Sequence, residues 1–539
     1  MPHRKKAAAE AAADLLWKAT DALRGAVDAA QYKEFVLALL CLRYVSLAFE
    51  QRRRQITGSP DLANVPENHR QLILDDPYEY ASEGVYWVPP VARWDAIAER
   101  LRDPECDAGE VLDEAVQAVM RESRDLSGAF PTVFAMPGVD LDRPLRRLFA
   151  LLGDDRVAGA GSRPPRDVMG GLYEYFVARF ARAEGRRGGE FHTPASVARL
   201  LVGMVAPREG RIHDPCCGTG GLLIQVRKFI ETHGGRPGRD LRIWGQELNQ
   251  RTWRLAKMNF TAHGMDPTAV GDSWSDTLAE DRLPDLKADY VVANPPFHMG
   301  GWARTELDPR WRFGVPPQSN ANYAWLQHVI SKLGERGCGG VVLSNGSMTS
   351  NQLGEGSIRA ALVESDLVAC MVALPAQLFT HTQIPACVWL LAKDKSSQGA
   401  ERLVDRRREV LFIDARNLGT LVGRAERVLA EDDLAAVIGT YHAWRGTADA
   451  ASYRDVEGFC RSVGLEEIRA LNHVLTPGRY VGTSEAKEGE GDREPIQDRI
   501  DRTTRDFYSL LDEADRLEAD IREQLRGVHR NPWTPPANS

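Results

Sequence analysis

Between residues 211 and 414 the chain repeats one alternation, a short apolar run followed by a longer stretch with helical spacing. The runs fall at 211–214, 242–246, 268–272, 289–293, 340–344, 367–374, 387–392 and 410–414. A helix between two strands carries the chain back to the edge it left. Repeated strand–helix units therefore predict a parallel, doubly wound α/β sheet with helices on both faces. The last runs are closely spaced, which predicts an antiparallel edge.

The flanks read differently. Leu15, Leu16, Ala19, Leu23 and Val27, then Phe35, Leu37, Leu40, Leu42, Val45 and Phe49, recur with helical periodicity. Further helical segments follow at 94–102, 109–122 and 142–152, with no strand-like alternation between them. Residues 1–157 are expected to form a helical N-terminal domain, and the Gly/Pro-rich stretch from Ala158 to Pro165 a linker. The sheet domain would span 166–420 and a helical C-terminal region 421–539. Within that region 481–494 is polar and linker-like. After it Ile496, Ile500, Thr503, Phe507, Leu510, Ala514, Leu517 and Ile521 form a heptad seam on a helix over 496–525. Such a seam suits docking against a partner helix; the plainer alternative is packing on its own domain.

A chain of 539 residues exceeds what one core serves. No apolar run is long enough for a membrane span, and the N-terminus lacks the apolar core of a signal peptide. Eight scattered cysteines with no CxxC pair argue against a disulfide framework and a zinc site; no metal is expected, and the pattern fits a reducing cytoplasm. The net charge is −8, whereas a protein that grips DNA unaided is usually basic. Positive surface for such work must be local or come from a partner. Arg143, Arg146, Arg147, Arg163, Arg166, Arg179, Arg182, Arg186 and Arg187 do crowd one stretch, although each also suits a solvated helix face.

The run ends carry the chemistry. Asp214-Pro215-Cys216-Cys217-Gly218-Thr219-Gly220-Gly221 follows the first run and opens a helix. Its glycines allow a tight turn and close approach of a ligand, and the helix start offers free N–H groups to a carboxylate. No Lys-Ser/Thr pair follows, so this is not a phosphate-binding P-loop. Cys216 and Cys217 read as packing residues rather than nucleophiles. Glu247, after the second run, suits a ribose diol. Gly271-Asp272-Ser273 could read an adenine amino group. The run at 289–293 ends in Asn294-Pro295-Pro296-Phe297. The prolines fix φ and hold the Asn294 amide and the Pro295 carbonyl in one geometry. Those two oxygens can accept both hydrogens of an exocyclic amine while Phe297 stacks on its ring. Each motif alone is also a turn or a cap. Four in consistent order point to one site.

Together these motifs resemble the ordered motifs of S-adenosylmethionine-dependent N6-adenine DNA methyltransferases. Gly188-Gly189-Glu190-Phe191-His192-Thr193-Pro194 resembles the methionine-binding motif that precedes the glycine loop in one class of them. More narrowly, the chain resembles the modification (M) subunit of type I restriction–modification systems. Leu23-Arg24-Gly25, Arg43-Tyr44-Val45-Ser46, Trp87-Val88-Pro89-Pro90, Arg312-Phe313-Gly314-Val315-Pro316-Pro317, Leu374-Pro375 with Leu378-Phe379, and Leu475-Thr476-Pro477-Gly478-Arg479-Tyr480 extend the likeness over nearly the whole chain. Three departures stand out. His192 takes the place of the family's usual Tyr, Cys216 that of a small residue, and the stretch from Gly346 to Glu355 is more polar than is usual.

The resemblance implies a Rossmann-like methyltransferase sheet. It implies methyl transfer from S-adenosylmethionine to N6 of an adenine flipped out of double-stranded DNA. The implied catalytic residues are Asn294, Pro295, Pro296 and Phe297. The implied cofactor residues are Phe191, His192, Thr193, Pro194, Asp214, Cys216, Gly218, Thr219, Gly220, Gly221, Glu247, Asp272 and Ser273, with Asn294 shared. Residues 298–322 form an unusually long connection, expected to fold over the target base, with His298 an ordinary loop residue.

Nothing after the sheet resembles a target-reading domain of about 100 residues or more. The implied partners are therefore double-stranded DNA, a specificity (S) subunit and a second copy of the chain; whether a restriction (R) subunit joins is left open. Three rivals remain. A stand-alone or other defence-system adenine methyltransferase should carry its own recognition domain. Glutamine-side-chain protein methyltransferases share Asn-Pro-Pro-aromatic but are shorter and lack the helical flanks. A non-catalytic DNA-binding or assembly subunit retaining a cofactor fold would not need Asp214, Glu247, Asp272 and Asn294 together.

Overall fold

The computed structural model describes residues 13–14, 16–18, 29–154, 164–184, 193–297, 299–379, 384–397, 403–422, 426–447 and 450–482, with short pieces between 504 and 521. The chain divides into two compact units, Met1–Thr483 and Ser484–Ser539. No described helix is long and apolar enough to cross a membrane.

The first unit is built on a sheet of β1 (Gly210–Asp214), β2 (Leu241–Gly245), β3 (Ala288–Ala293), β4 (Leu333–Ser344), β5 (Val368–Ala373), β6 (Ala386–Ala392), β7 (Glu409–Asp414) and β10 (Cys460–Gly464). Strands β8 (Thr420–Val422) and β9 (Glu426–Val428) form a separate hairpin. The order across the main sheet is β10-β7-β5-β6-β4-β3-β1-β2. Strands β2, β1, β3 and β4 run parallel. β10 gives the antiparallel edge, and β6 is a second antiparallel strand, placed inside the sheet between β4 and β5.

Two expectations need correction. The run at 268–272 is not a strand: Pro267–Val270 is a 3-10 turn. Pro267 has no N–H for a ladder, and the Asp266 carboxylate accepts the Thr268 N–H, so the local bond outcompetes a sheet. The region beyond 420 is not purely helical, because the β8–β9 hairpin and β10 lie there. β10 is recruited by long-range pairing with β7, from Cys460 opposite Ile413 to Gly464 opposite Glu409.

Two apolar layers cover the sheet. Along β3, Val292 joins one layer, while Val291 and Ala293 join the other. Every residue of β5 and β6 is buried, as expected for strands covered on both faces. The first layer is closed by α5 (Ala195–Val205) and α6 (Gly221–Thr232), which bury apolar side chains against β1 and β4. Before them come α1 (Ala29–Thr57), α2 (Ala108–Glu122), α3 (Asp142–Leu152) and α4 (Pro165–Glu184). These four share a core with Leu255, Met258 and Ala262 of α7 (Gln250–Ala262). The N-terminal helices thus pack on a helix that flanks the sheet, within one unit. Some of their arginines are engaged by carboxylates: Arg146 bonds Asp142, Arg179 bonds Asp14 and Arg182 bonds Glu426, while Arg143 and Arg147 are exposed and Arg163, Arg186 and Arg187 lie outside the described residues.

The expected boundary at 157 and the linker at 481–494 lie largely outside the described residues, as does most of the heptad seam. In the second unit, Leu517 and Ile521 of that seam are exposed.

Candidate active site at the carboxyl ends of β1 and β3

Strand order reverses at β1: β2 lies on one side of it and β3 on the other. In such sheets the crevice beyond this switch point holds the ligand. Asp214 ends β1, and Asn294 follows the last residue of β3.

The glycine loop is drawn tight by backbone bonds. The Gln246 N–H donates to the Asp214 carbonyl at 3.0 Å, and the Cys217 N–H to the Gln246 carbonyl at 2.9 Å. Gly220 has φ 81°, in the left-handed region, and a Cβ there would run into the Phe260 ring. Only glycine suits both conditions. Gly221 then starts α6. Thr219 lends its carbonyl to the Asn259 amide at 2.7 Å, which fastens the loop to α7.

Two carboxylates hold this loop. Asp214 Oδ1 accepts the Cys216 N–H at 3.1 Å, and Glu247 Oε2 accepts the Gly218 N–H at 3.0 Å. Asp214 is 1% exposed, and its Oδ2 has no hydrogen-bond partner among the described residues. Burial, and then the nearby Glu247 carboxylate, push the Asp214 carboxyl up to about 7. A buried acid with one unmatched oxygen is suited to a cationic ligand group. Burial also pushes the Cys216 and Cys217 thiols well above their usual range, which leaves them un-ionised and agrees with a packing role.

Asp272 and Ser273 follow the 3-10 turn rather than a strand end. Their loop is nonetheless fastened to the end of β2, because the Ser275 N–H donates to the Glu247 carbonyl at 2.8 Å. Next in the chain to the two ends of that bond stand two residues that sequence reasoning passed over, Leu248 and Trp274, which are 55% and 41% exposed. The Trp274 ring meets Trp253 edge to face at 5.9 Å. The available signal was an apolar side chain directly after each acidic loop motif.

Across the crevice, Asn294 is buried and its Nδ2 donates to the Thr193 hydroxyl at 2.8 Å. Oδ1 has no partner among the described residues. The amide therefore presents an unmatched acceptor. Pro295 is buried, Pro296 and Phe297 are half-buried, and Phe297 meets Phe379 edge to face at 5.4 Å. Phe379 was read only as part of a flanking motif; here it backs the ring beside the acceptor. Pro194 precedes α5 as its N-terminal flank. Phe191, His192 and His298 lie outside the described residues.

The segment 299–321 is largely exposed but is anchored at its two tryptophans. Trp302, Trp311 and Trp325 form a small core with Leu278. Arg310 donates to the carbonyls of Thr277 at 2.8 Å and Leu278 at 2.6 Å. The loop after Asn294 is thereby tied to the loop that carries Asp272.

The family of N-6 DNA methylases matches residues 165–489, and an HsdM N-terminal domain matches residues 12–145. The type I restriction enzyme HindI methylase subunit of Haemophilus influenzae is 38% identical over 463 residues, covering 82% of this chain and 99% of that protein. The MjaIX methylase subunit of Methanocaldococcus jannaschii is 32% identical, covering 95% and 90%. The crystal structure of a type I restriction–modification methyltransferase subunit from Streptococcus thermophilus superposes with a TM-score of 0.72 at 24% identity, covering 88% of this chain and 99% of that one. The chain belongs to the N-6 DNA methylase family, as a methylase subunit of the type I restriction–modification kind, and is an adenine-specific DNA methyltransferase.

Proposed function

We propose that the crevice between β1 and β3 binds S-adenosylmethionine on the Asp214 side and a flipped adenine on the Asn294 side. The observation that carries this reading is the pair of buried, unmatched oxygens, Asp214 Oδ2 and Asn294 Oδ1. One suits the cofactor's ammonium group and the other the adenine amine. S-adenosylmethionine, when bound, supplies a methyl group on a positively charged sulfur. Phe191, His192, Thr193 and Pro194 would border its methionine end. The Cys216 to Gly221 loop would approach its carboxylate, Glu247 would take its ribose hydroxyls, and Asp272 and Ser273 its adenine, with Leu248 and Trp274 against the base.

The chemistry asked of the protein is modest. The adenine N6 lone pair is delocalised into the ring and attacks poorly. Asn294 Oδ1 and the Pro295 carbonyl each accept one N6–H. That draws the nitrogen toward tetrahedral geometry and stabilises the positive charge it gains. Pro296 keeps the turn rigid, and Phe297, backed by Phe379, stacks on the base. Positioning and electrostatics supply the acceleration. Residues 299–321 cover the base.

The chain works in a cytoplasmic complex with DNA and a specificity subunit, which selects the target, alongside a second copy of itself. Residues 1–157 form the helical N-terminal domain, 166–420 the methyltransferase domain and 421–539 the C-terminal region. The heptad helix at 496–525 docks on a partner helix. The test is a cofactor titration followed by methyl transfer to mixed DNA, with and without a co-purified specificity subunit. Cofactor binding by the chain alone, with site-specific transfer only in the complex, is the expected result. Robust site-specific methylation by the isolated chain would refute the need for a partner.

A further inference from the structure

The stretch from Gly346 to Glu355, whose polarity departs from the family pattern, carries a strained backbone near its end. Leu353 has φ 46° and ψ 39° and is followed by Gly354 at φ 89°. A leucine in the left-handed region is disfavoured, and such strain persists only where its surroundings enforce it. Leu353 is also 73% exposed, so burial of its side chain does not explain the conformation.

The surroundings that enforce it lie beneath the tip. The Arg359 side chain is fully buried, donating to the Ser350 carbonyl at 2.5 Å, to Asn351 Oδ1 at 2.9 Å and to the His473 carbonyl at 2.8 Å. Ser350 donates to the buried Glu355 carboxylate. The Leu475 N–H donates to the Met348 carbonyl at 3.0 Å. The stem is thus fixed, while residues 351–354, Leu353 among them, are exposed.

Its position gives the tip a task. β3 and β4 are parallel, and Ala293 pairs with Val341. The loop leaves β4 after Ser344, so it rises from the same edge of the sheet as Asn294. Among the described residues, Leu248, Trp274, Leu307, Val315 and Ile384 are the other exposed large apolar side chains in the loops of this edge; only Leu307, at 93%, is more exposed than Leu353, and Glu306 and Asp308 flank it and would repel phosphates. Leu353 is flanked by Asn351, Gln352 and Gly354, which carry no charge.

We propose that Leu353 is the wedge that enters the base stack of duplex DNA when the target adenine swings out toward Asn294. The inference rests on the methyl-transfer reading above. Apolar side chains pushed between base steps hold a duplex open, and an extruded base leaves a gap that such a side chain fills. A fixed stem and a strained backbone deliver the side chain without reorganisation.

Leu353→Gly separates the wedge from the fold. Glycine adopts the left-handed backbone freely, so this variant should be at least as stable as the parent chain. The measurement uses the complex with its specificity subunit and a duplex bearing its methylated site, with 2-aminopurine at the target position. The parent complex should give a fluorescence rise that Leu353→Gly loses. Single-turnover methylation of the paired adenine should slow at least tenfold. On a duplex whose target adenine is mismatched, and so already loosened, the variant should come within about twofold of the parent rate. Equal rates on the paired target, or an equal loss on paired and mismatched targets, would overturn the wedge. A parent complex that methylates neither duplex would instead remove the methyl-transfer reading, and the wedge with it.

Discussion

Thr193 and Asn294 are 101 residues apart in sequence and are joined by one hydrogen bond of 2.8 Å. The Thr193 hydroxyl takes the donor end of the amide, and the acceptor end, Oδ1, is left unmatched. Thr193→Val leaves a buried N–H unsatisfied, a loss of about 1–3 kcal/mol. The methyl-transfer rate should fall by roughly 5- to 150-fold, while Thr193→Ser stays near the parent rate. Single-turnover kinetics at saturating cofactor measures both. Equal losses in the two variants would show that the hydroxyl does not hold the amide.

Asp214 sets a pH dependence with opposite signs for stability and binding. Its carboxyl is pushed from 3.8 up to about 7 by burial and then by Glu247. Between those values the folded chain keeps a proton that the unfolded chain releases, so this group's contribution to stability falls as pH rises through the window. Asp214→Asn should therefore be more stable at pH 8, by on the order of 2 kcal/mol. An ammonium ligand prefers the ionised carboxylate. Affinity for S-adenosylmethionine should therefore weaken as pH drops below about 7, with proton release on binding. Calorimetry in buffers of different ionisation enthalpy reads that release.

Gly220 couples the loop to α7. At φ 81° it sits against Phe260, and an added Cβ meets both backbone strain and the ring. Gly220→Ala should cost about 2–4 kcal/mol, seen as a lower denaturant midpoint, together with loss of cofactor binding.

Trp274 is exposed beside the loop that carries Asp272, so its removal should leave the fold intact. Trp274→Ala is expected to weaken S-adenosylmethionine binding about tenfold, the worth of one aromatic contact. An unchanged Kd, with an unchanged melting temperature, would place the cofactor's adenine elsewhere.

Much of this site was legible because its parts are local. β1, β2 and β3 are short apolar runs that end in polar residues, and the same few residues carry both the strand and its chemistry. What was not legible depends on distant partners. β4 begins at Leu333, well before the expected 340, because its first half is glycine-rich and carries little apolar signal. β10 buries only Cys460 and Val463, and its strand character comes from β7. The run at 268–272 looked apolar enough, but Asp266 and Pro267 turn it locally. The support of Phe379 behind Phe297 and the grip of Thr193 on Asn294 appear only once the sheet brings them together.

The central claim is that Asn294 accepts the adenine amine. Its most direct test is methyl transfer from labelled S-adenosylmethionine by the complex with its specificity subunit, comparing the parent chain with Asn294→Ala, with the cofactor Kd measured alongside. Loss of N6-methyladenine by at least about 1,000-fold, as for a preorganised acceptor, is predicted, with Kd changed by no more than about threefold. Transfer by Asn294→Ala within about tenfold of the parent rate would contradict the account.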